Sequence, residues 1–173
     1  MTLSINIDAD DDWDSSSARL SELAEPTLRA AIAESAFPAL ADTAREVEVS
    51  LALLSDADVH DLNRQWREKD KPTNVLSFPM AEPDELDDAD RPGPPLMLGD
   101  MALAHGVCAR EAEEKGISLE HHARHLMVHG MLHLLGYDHM NDAEATDMEA
   151  RETRALARLG IADPYGDRHG HQA

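Results

Sequence analysis

Apolar and polar residues alternate in two places in the first third of the chain. Residues 1–7, MTLSINI, put Leu3, Ile5 and Ile7 on one face. Residues 45–54, REVEVSLALL, put Val47, Val49, Leu51 and Leu53 on one face. A period of two belongs to a half-buried strand, so both stretches are read as strands. Between them, Ser15 to Ser17 lead into a helical stretch to about Ser35, with Leu20, Leu23, Leu28 and Ile32 as its apolar positions. Pro26 lacks an N–H and is expected to kink that helix or divide it. The acidic run Asp8, Asp10, Asp11, Asp12 and Asp14 is read as a solvated turn before the helix N-terminus, in preference to a carboxylate metal site.

The pattern then switches between the two periods. Ser55, with Asp58 three residues on, caps a helix whose inward face is Val59, Leu62 and Trp66. Residues 73–79 read as a third strand. Residues 81–95, AEPDELDDADRPGPP, read as a mobile acidic loop within one domain. LGDMALA, residues 98–104, reads as a fourth strand, and a helix from about Val107 to Lys115 stops at Gly116. Ser118 caps the next helix, which is apolar nearly all round (Leu119, Leu126, Met127, Met131, Leu132, Leu134, Leu135) and is therefore placed at the centre. Asn141 and Glu144 start a last helix that ends at Gly160. The chain is read as one domain, 1–173, with a frayed tail from about residue 163 and no internal repeat.

The central helix carries candidate chemistry at its end, HGMLHLLGYDH from His129 to His139. His129 and His133, four apart, share one helical face. On an unbroken helix His139 would lie about 240° around from His133. Gly136 offers the remedy, because glycine adopts the left-handed conformation that ends helices. A helix stopping there lets His139 swing back, and three neutral imidazoles with one open corner make a catalytic zinc site. His125 permits a rival HxxxHxxxH pairing, but only His129 and His133 stand correctly before Gly136. His60, His105, His121 and His122 have no comparable spacing and are read as structural. His169 and His171 belong to the tail. Zinc peptidases of the HExxH type carry their general base directly after the first histidine, where this chain has Gly130.

Composition narrows the function. A formal charge of −20 opposes nonspecific binding to a polyanion. That charge makes one segment conspicuous: residues 64–71, RQWREKDK, hold four cations in eight positions. Aromatics are 3% of residues, too few for extensive base stacking. No apolar run is long enough to span a bilayer, and the acidic N-terminus does not read as a secretory signal. A single cysteine, Cys108, fits a reducing cytoplasm and is read as a small buried side chain.

HGMLHLLGYDH, with NRQWREKDKPTNVLSFP and LGDMALA upstream, resembles the YbeY family of bacterial ribosome-maturation endoribonucleases, over about Val47 to Gly160. The resemblance implies an α+β fold, with a small four-stranded mixed sheet packed by about five helices and one zinc ion in a cleft at the end of the central helix. It implies His129, His133 and His139 as ligands, and Arg67 as the arginine that contacts RNA phosphate and stabilises the charge that builds there. Lys69 and Lys71 would hold flanking phosphates. Asp138 is read as orienting an imidazole, and with Gly130 in the glutamate position no residue is assigned as base. Water and the RNA 2′-hydroxyl both stand as nucleophiles. The implied activity is single-strand-specific, metal-dependent cleavage that matures the 3′ end of small-subunit ribosomal RNA and clears defective ribosomes. The implied partners are single-stranded and ribosomal RNA and the small subunit or its proteins, with no DNA and no membrane. Two other readings remain, a zinc-containing ribosome-assembly factor without catalysis and a zinc peptidase.

Overall fold

The computed structural model describes residues 2–41, 43, 45–69, 73–89, 91, 93–138, 140–162 and 164. Four strands, β1 (Thr2–Ala9), β2 (Glu46–Leu54), β3 (Val75–Pro79) and β4 (Leu96–Ala104), form one sheet in the order β1-β2-β4-β3. β1, β2 and β4 run parallel, and β3 is antiparallel to β4, so the sheet is mixed. Among the described residues six α-helices surround it: α1 (Asp14–Ala33), α2 (Asp56–Arg67), α3 (Pro83–Asp87), α4 (His105–Lys115), α5 (Leu119–Leu134) and α6 (Asp142–Arg158). The expected α+β architecture is the one observed. The sixth helix, α3, is the short one that the sequence reading left out.

Alternation in β2 divides the interior into two parts. Val47, Val49, Leu51 and Leu53 are fully buried against α1, α5 and α6 in the main core. The opposite face packs a smaller cluster, Val59 of α2 with Leu76, Ala102 and Ala104. α5 lies inside the main core, with Met127, Val128, Met131 and Leu132 all fully buried, as its unbroken apolar surface required. Three caps expected from sequence form. The side chains of Ser55, Ser118 and Asn141 accept from the N–H groups of Asp58, His121 and Glu144.

Three expectations are corrected. α1 runs through Pro26 without dividing. Proline leaves the carbonyl four residues back without its helical donor. That carbonyl belongs to Glu22, and Glu22 and Pro26 are both exposed, so the carbonyl is open to solvation in place of that donor. Trp66 is 70% exposed and not on a buried face. α2 buries Val59 and Asn63, while Leu62 and Trp66 line an open cavity against the sheet. The acidic stretch 81–95 holds α3, where the Glu82 N–H donates to the Glu85 carboxylate, and it is anchored by buried Leu86 and Ala89. The tail lies outside the described residues, apart from Pro164. Among the described residues no helix is long and apolar enough to cross a membrane.

Candidate metal centre

The end of α5 does what its glycine predicted. Gly136 has φ +98°. Its N–H donates to the His133 carbonyl, and the Tyr137 N–H donates to the Leu132 carbonyl, both at 3.0 Å. These are the two reverse hydrogen bonds of a Schellman terminus. Tyr137 is pinned from outside: its phenolic oxygen accepts from the Ala36 N–H at 2.8 Å, and the Arg151 guanidinium sits 4.7 Å above its ring. The Tyr137 carbonyl then accepts from His133 Nδ1 at 2.8 Å. A carbonyl can only accept, so that hydrogen bond puts the proton of a neutral ring on Nδ1 and leaves Nε2 as the acceptor.

His129 is oriented in the same way by a different element. Its Nδ1 pairs closely with the Glu152 carboxylate of α6. Glu152 is fully buried. Burial alone would push its carboxyl upward, but the His125 and His129 imidazoles beside it outweigh that and hold it down at about 2. It is therefore an anion in the core, and a carboxylate behind a ligating imidazole both fixes the ring and raises its basicity. His125, the rival ligand, is buried, with Nε2 3.8 Å from the other Glu152 oxygen.

The two Nε2 atoms stand 3.1 Å apart, with ring centroids at 4.6 Å and planes at 79°. Two bonds of about 2.0–2.1 Å at a tetrahedral angle would separate their nitrogens by about 3.3 Å. Two acceptor nitrogens facing each other at this distance call for a proton or a cation between them. On geometry and donor chemistry the pair fits zinc. His139 lies outside the described residues, and the residues on either side of it, Asp138 and Met140, both line the adjoining cleft.

That cleft, of about 600 Å³, joins the histidines to the basic segment. Arg67, the last residue of α2, and Lys69 line it, opposite His129, His133 and Asp138. Between the two cations Glu68 takes a left-handed conformation, φ 57°, and the Lys69 N–H closes the helix onto the Asn63 carbonyl at 3.2 Å. Asp138 is exposed. Lys71 lies outside the described residues. Asn74 forms part of the wall, its side chain donating to Glu111 at 2.9 Å, and buried His122 holds the same Glu111 oxygen from behind at 2.9 Å. Gly130 faces the sheet. A Cβ there would meet Ser77 Oγ and Met101 Sδ at 3.2 Å each, so the place of a peptidase glutamate is filled by β3 and β4.

Sequence reasoning missed Glu152, which comes 23 residues after His129. A signal was present, however: Met148, Glu152, Ala155 and Leu156 make the buried stripe of α6. A carboxylate in an otherwise apolar stripe needs a partner in the core.

The model of the family described as Endoribonuclease YbeY matches residues 6–160. The chain belongs to that family. An Endoribonuclease YbeY from Erythrobacter litoralis is 64% identical over 132 residues, covering 76% of this chain and 81% of the relative. One from Sphingopyxis alaskensis is 54% identical over 157 residues, covering 90% and 89%. The solution structure of TM1509 from Thermotoga maritima has the same fold, with a TM-score of 0.57 at 23% identity over 98% of this chain and 93% of that one.

Proposed function

We propose that His129, His133 and His139 hold one zinc ion and that Arg67 faces it across the cleft as the group that binds the scissile phosphate. The chain is a zinc-dependent endoribonuclease, a hydrolase of phosphodiester bonds that acts in ribosomal RNA maturation and ribosome quality control. The observation that carries the site is the convergence of two Nε2 atoms at 3.1 Å, each ring held by a partner on its Nδ1.

A zinc ion held by His129, His133 and His139 would supply Lewis acidity at the scissile phosphate. The chain does the rest. Glu152 and the Tyr137 carbonyl keep the imidazoles aimed. Arg67 offers a planar fork of N–H donors to the non-bridging oxygens, where charge grows as the P–O bond breaks. Lys69 and Lys71 hold the phosphates on either side, and Asp138 orients a ligating imidazole. A cleft with cations on one wall, in a chain of net charge −20, restricts RNA binding to this strip and suits single strands, which can thread it. The substrate is single-stranded RNA at the 3′ end of small-subunit ribosomal RNA. The acidic remainder of the surface suits contact with basic proteins of the small subunit. This reading implies the cytoplasm as the compartment.

The deciding experiment compares zinc content and cleavage on one preparation. The wild-type protein binds one zinc and cuts single-stranded RNA, and chelation stops cleavage until zinc is returned. Arg67→Ala keeps the zinc and loses about a hundredfold in rate, the usual cost of one transition-state donor. Full activity in metal-free protein would overturn the assignment.

A further inference from the structure

A second cavity, of about 580 Å³, opens on the face of the sheet away from α5. Its floor follows from strand register. Asn6 pairs with Ser50, Ser50 with Asp100, and Asp100 with Phe78. These four residues form one row across all four strands, and all four line the cavity. The next row on the same face contributes Asp8, Ala52 and Ala102. Leu62 and Trp66 of α2 make the overhanging side. Trp66 is 70% exposed, whereas Trp13 is fully buried.

α2 divides this cavity from the metal cleft. A helix turns about 100° per residue, so Leu62 and Trp66 face one side while Asn63 and Arg67 face the other. The linings agree, with Leu62 and Trp66 in one and Asn63 and Arg67 in the other. A strand of RNA whose phosphate lies against Arg67 thus has an indole at its next step. The floor carries the carboxylates of Asp8 and Asp100, both exposed, and these repel phosphate. They accept hydrogen bonds from N–H groups, so the part of a nucleotide suited to this cavity is its uncharged base. Two aromatic side chains line the cavity, Phe78 on β3 and Trp66 on α2, and unpaired bases stack on aromatic side chains.

We propose that this cavity is a nucleobase subsite of the endoribonuclease. It takes the base next to the bound phosphate, stacked on Trp66, with its N–H edge toward Asp100, Ser50 and Asn6. Guanine, whose adjacent N–H donors match the two oxygens of one carboxylate, is preferred over uracil. The proposal rests on the endoribonuclease reading and adds a base preference to it.

The test uses the zinc-loaded full-length protein and two labelled 2′-O-methyl phosphorothioate pentanucleotides, all-uridine and uridine with one guanosine, followed by fluorescence anisotropy across a salt series. Wild type is expected to bind the guanosine oligomer about tenfold more tightly. Trp66→Ala lowers that affinity about tenfold at every salt concentration, in the range of one lost stacking contact. The salt slope stays unchanged, because no phosphate contact is removed. Trp66→Phe restores most of the affinity, and Asp100→Asn abolishes the preference for guanosine. Equal binding of the two oligomers, with Trp66→Ala indistinguishable from wild type, overturns the proposal. So does a Trp66→Ala protein that binds both oligomers normally but no longer binds isolated small-subunit proteins, which would make the face a protein-docking surface. Should Trp66→Ala fail to fold, Trp66→Phe and Asp100→Asn still decide. Failure of wild type to cut a long single-stranded RNA would refute the parent reading instead, since anisotropy is read without cleavage.

Discussion

Both walls of the metal cleft are built on the C-terminus of a helix, and at both the backbone leaves through a residue of positive φ, but the two ends are held very differently. At the end of α5 the residue is Gly136, with φ +98°, and the turn is tied into the core through Tyr137, Arg151 and Glu152. At the end of α2 the residue is Glu68, with φ 57°, and Arg67, Glu68 and Lys69 are all exposed. The contrast matches the two tasks. A metal tolerates errors of only about 0.2 Å in its ligand distances, so its wall must be preorganised. In the proposed site a phosphodiester would arrive on a flexible chain and be met by long cations that adjust to it. Rigidity is concentrated where bond lengths demand it.

The largest effect that breaks this comparison comes from the rigid wall itself. His133→Ala removes one Nε2 of the pair, and zinc content should fall below one tenth of an equivalent at micromolar protein, with cleavage down by about a thousandfold or more. Metal analysis beside a single-turnover cleavage assay reads both. Retention of a full equivalent of zinc would remove His133 from the ligand set. Glu152→Gln comes next. It keeps the shape behind His129 and discards the charge, so zinc affinity should weaken by about ten- to a hundredfold. Competition with a chromophoric chelator measures this, and an unchanged affinity would reduce Glu152 to a packing residue.

These two residues also mark the boundary of what the sequence discloses. The pairing of His133 with His129 at a helix end was legible because its argument is local: two imidazoles four apart, a glycine three later, and capping chemistry that a helix end must satisfy. The caps at Ser55, Ser118 and Asn141 and the alternation of β2 were legible for the same reason. Glu152 was not, because its partner lies on another helix and only the fold brings them together. Trp66 was misplaced because periodicity says which side of a helix a residue is on, and not whether that side is packed or opens onto a cavity. α3 was hidden in a stretch whose prolines and acids read as loop, since its anchors Leu86 and Ala89 are too few to show a period. The order β1-β2-β4-β3 is likewise a matter of long-range pairing that no local pattern encodes.

Gly136→Ala probes the rigid turn without touching a ligand. A Cβ built there meets nothing within 4 Å, so its cost is purely that of the backbone conformation, about 1–2 kcal/mol. Urea unfolding of the metal-free protein should show that loss. Zinc affinity should fall as well, because the turn sets the Tyr137 carbonyl on His133. Lost stability with unaltered zinc binding would mean that the carbonyl finds His133 without the turn.

Glu68→Gly is the smallest and the most informative counterpart. Glycine relieves the left-handed strain at Glu68, worth about 1 kcal/mol, and gives back a similar amount through the greater freedom of the unfolded chain. Net stability should therefore move by less than about 0.5 kcal/mol in either direction, and zinc affinity should not move at all, because no ligand depends on α2. The expected change is in the substrate wall. A looser hinge between Arg67 and Lys69 leaves both cations in place but less often aligned, so KM for single-stranded RNA should rise a few-fold while the rate at saturation holds. Removal of one negative charge beside the two cations pulls the other way, and Glu68→Gln separates the two effects by discarding the charge while keeping a side chain. If Glu68→Gln and Glu68→Gly lower KM equally, charge governs this wall and its backbone conformation is incidental. If only Glu68→Gly raises KM, the non-glycine residue is what keeps the exposed wall ordered enough to work.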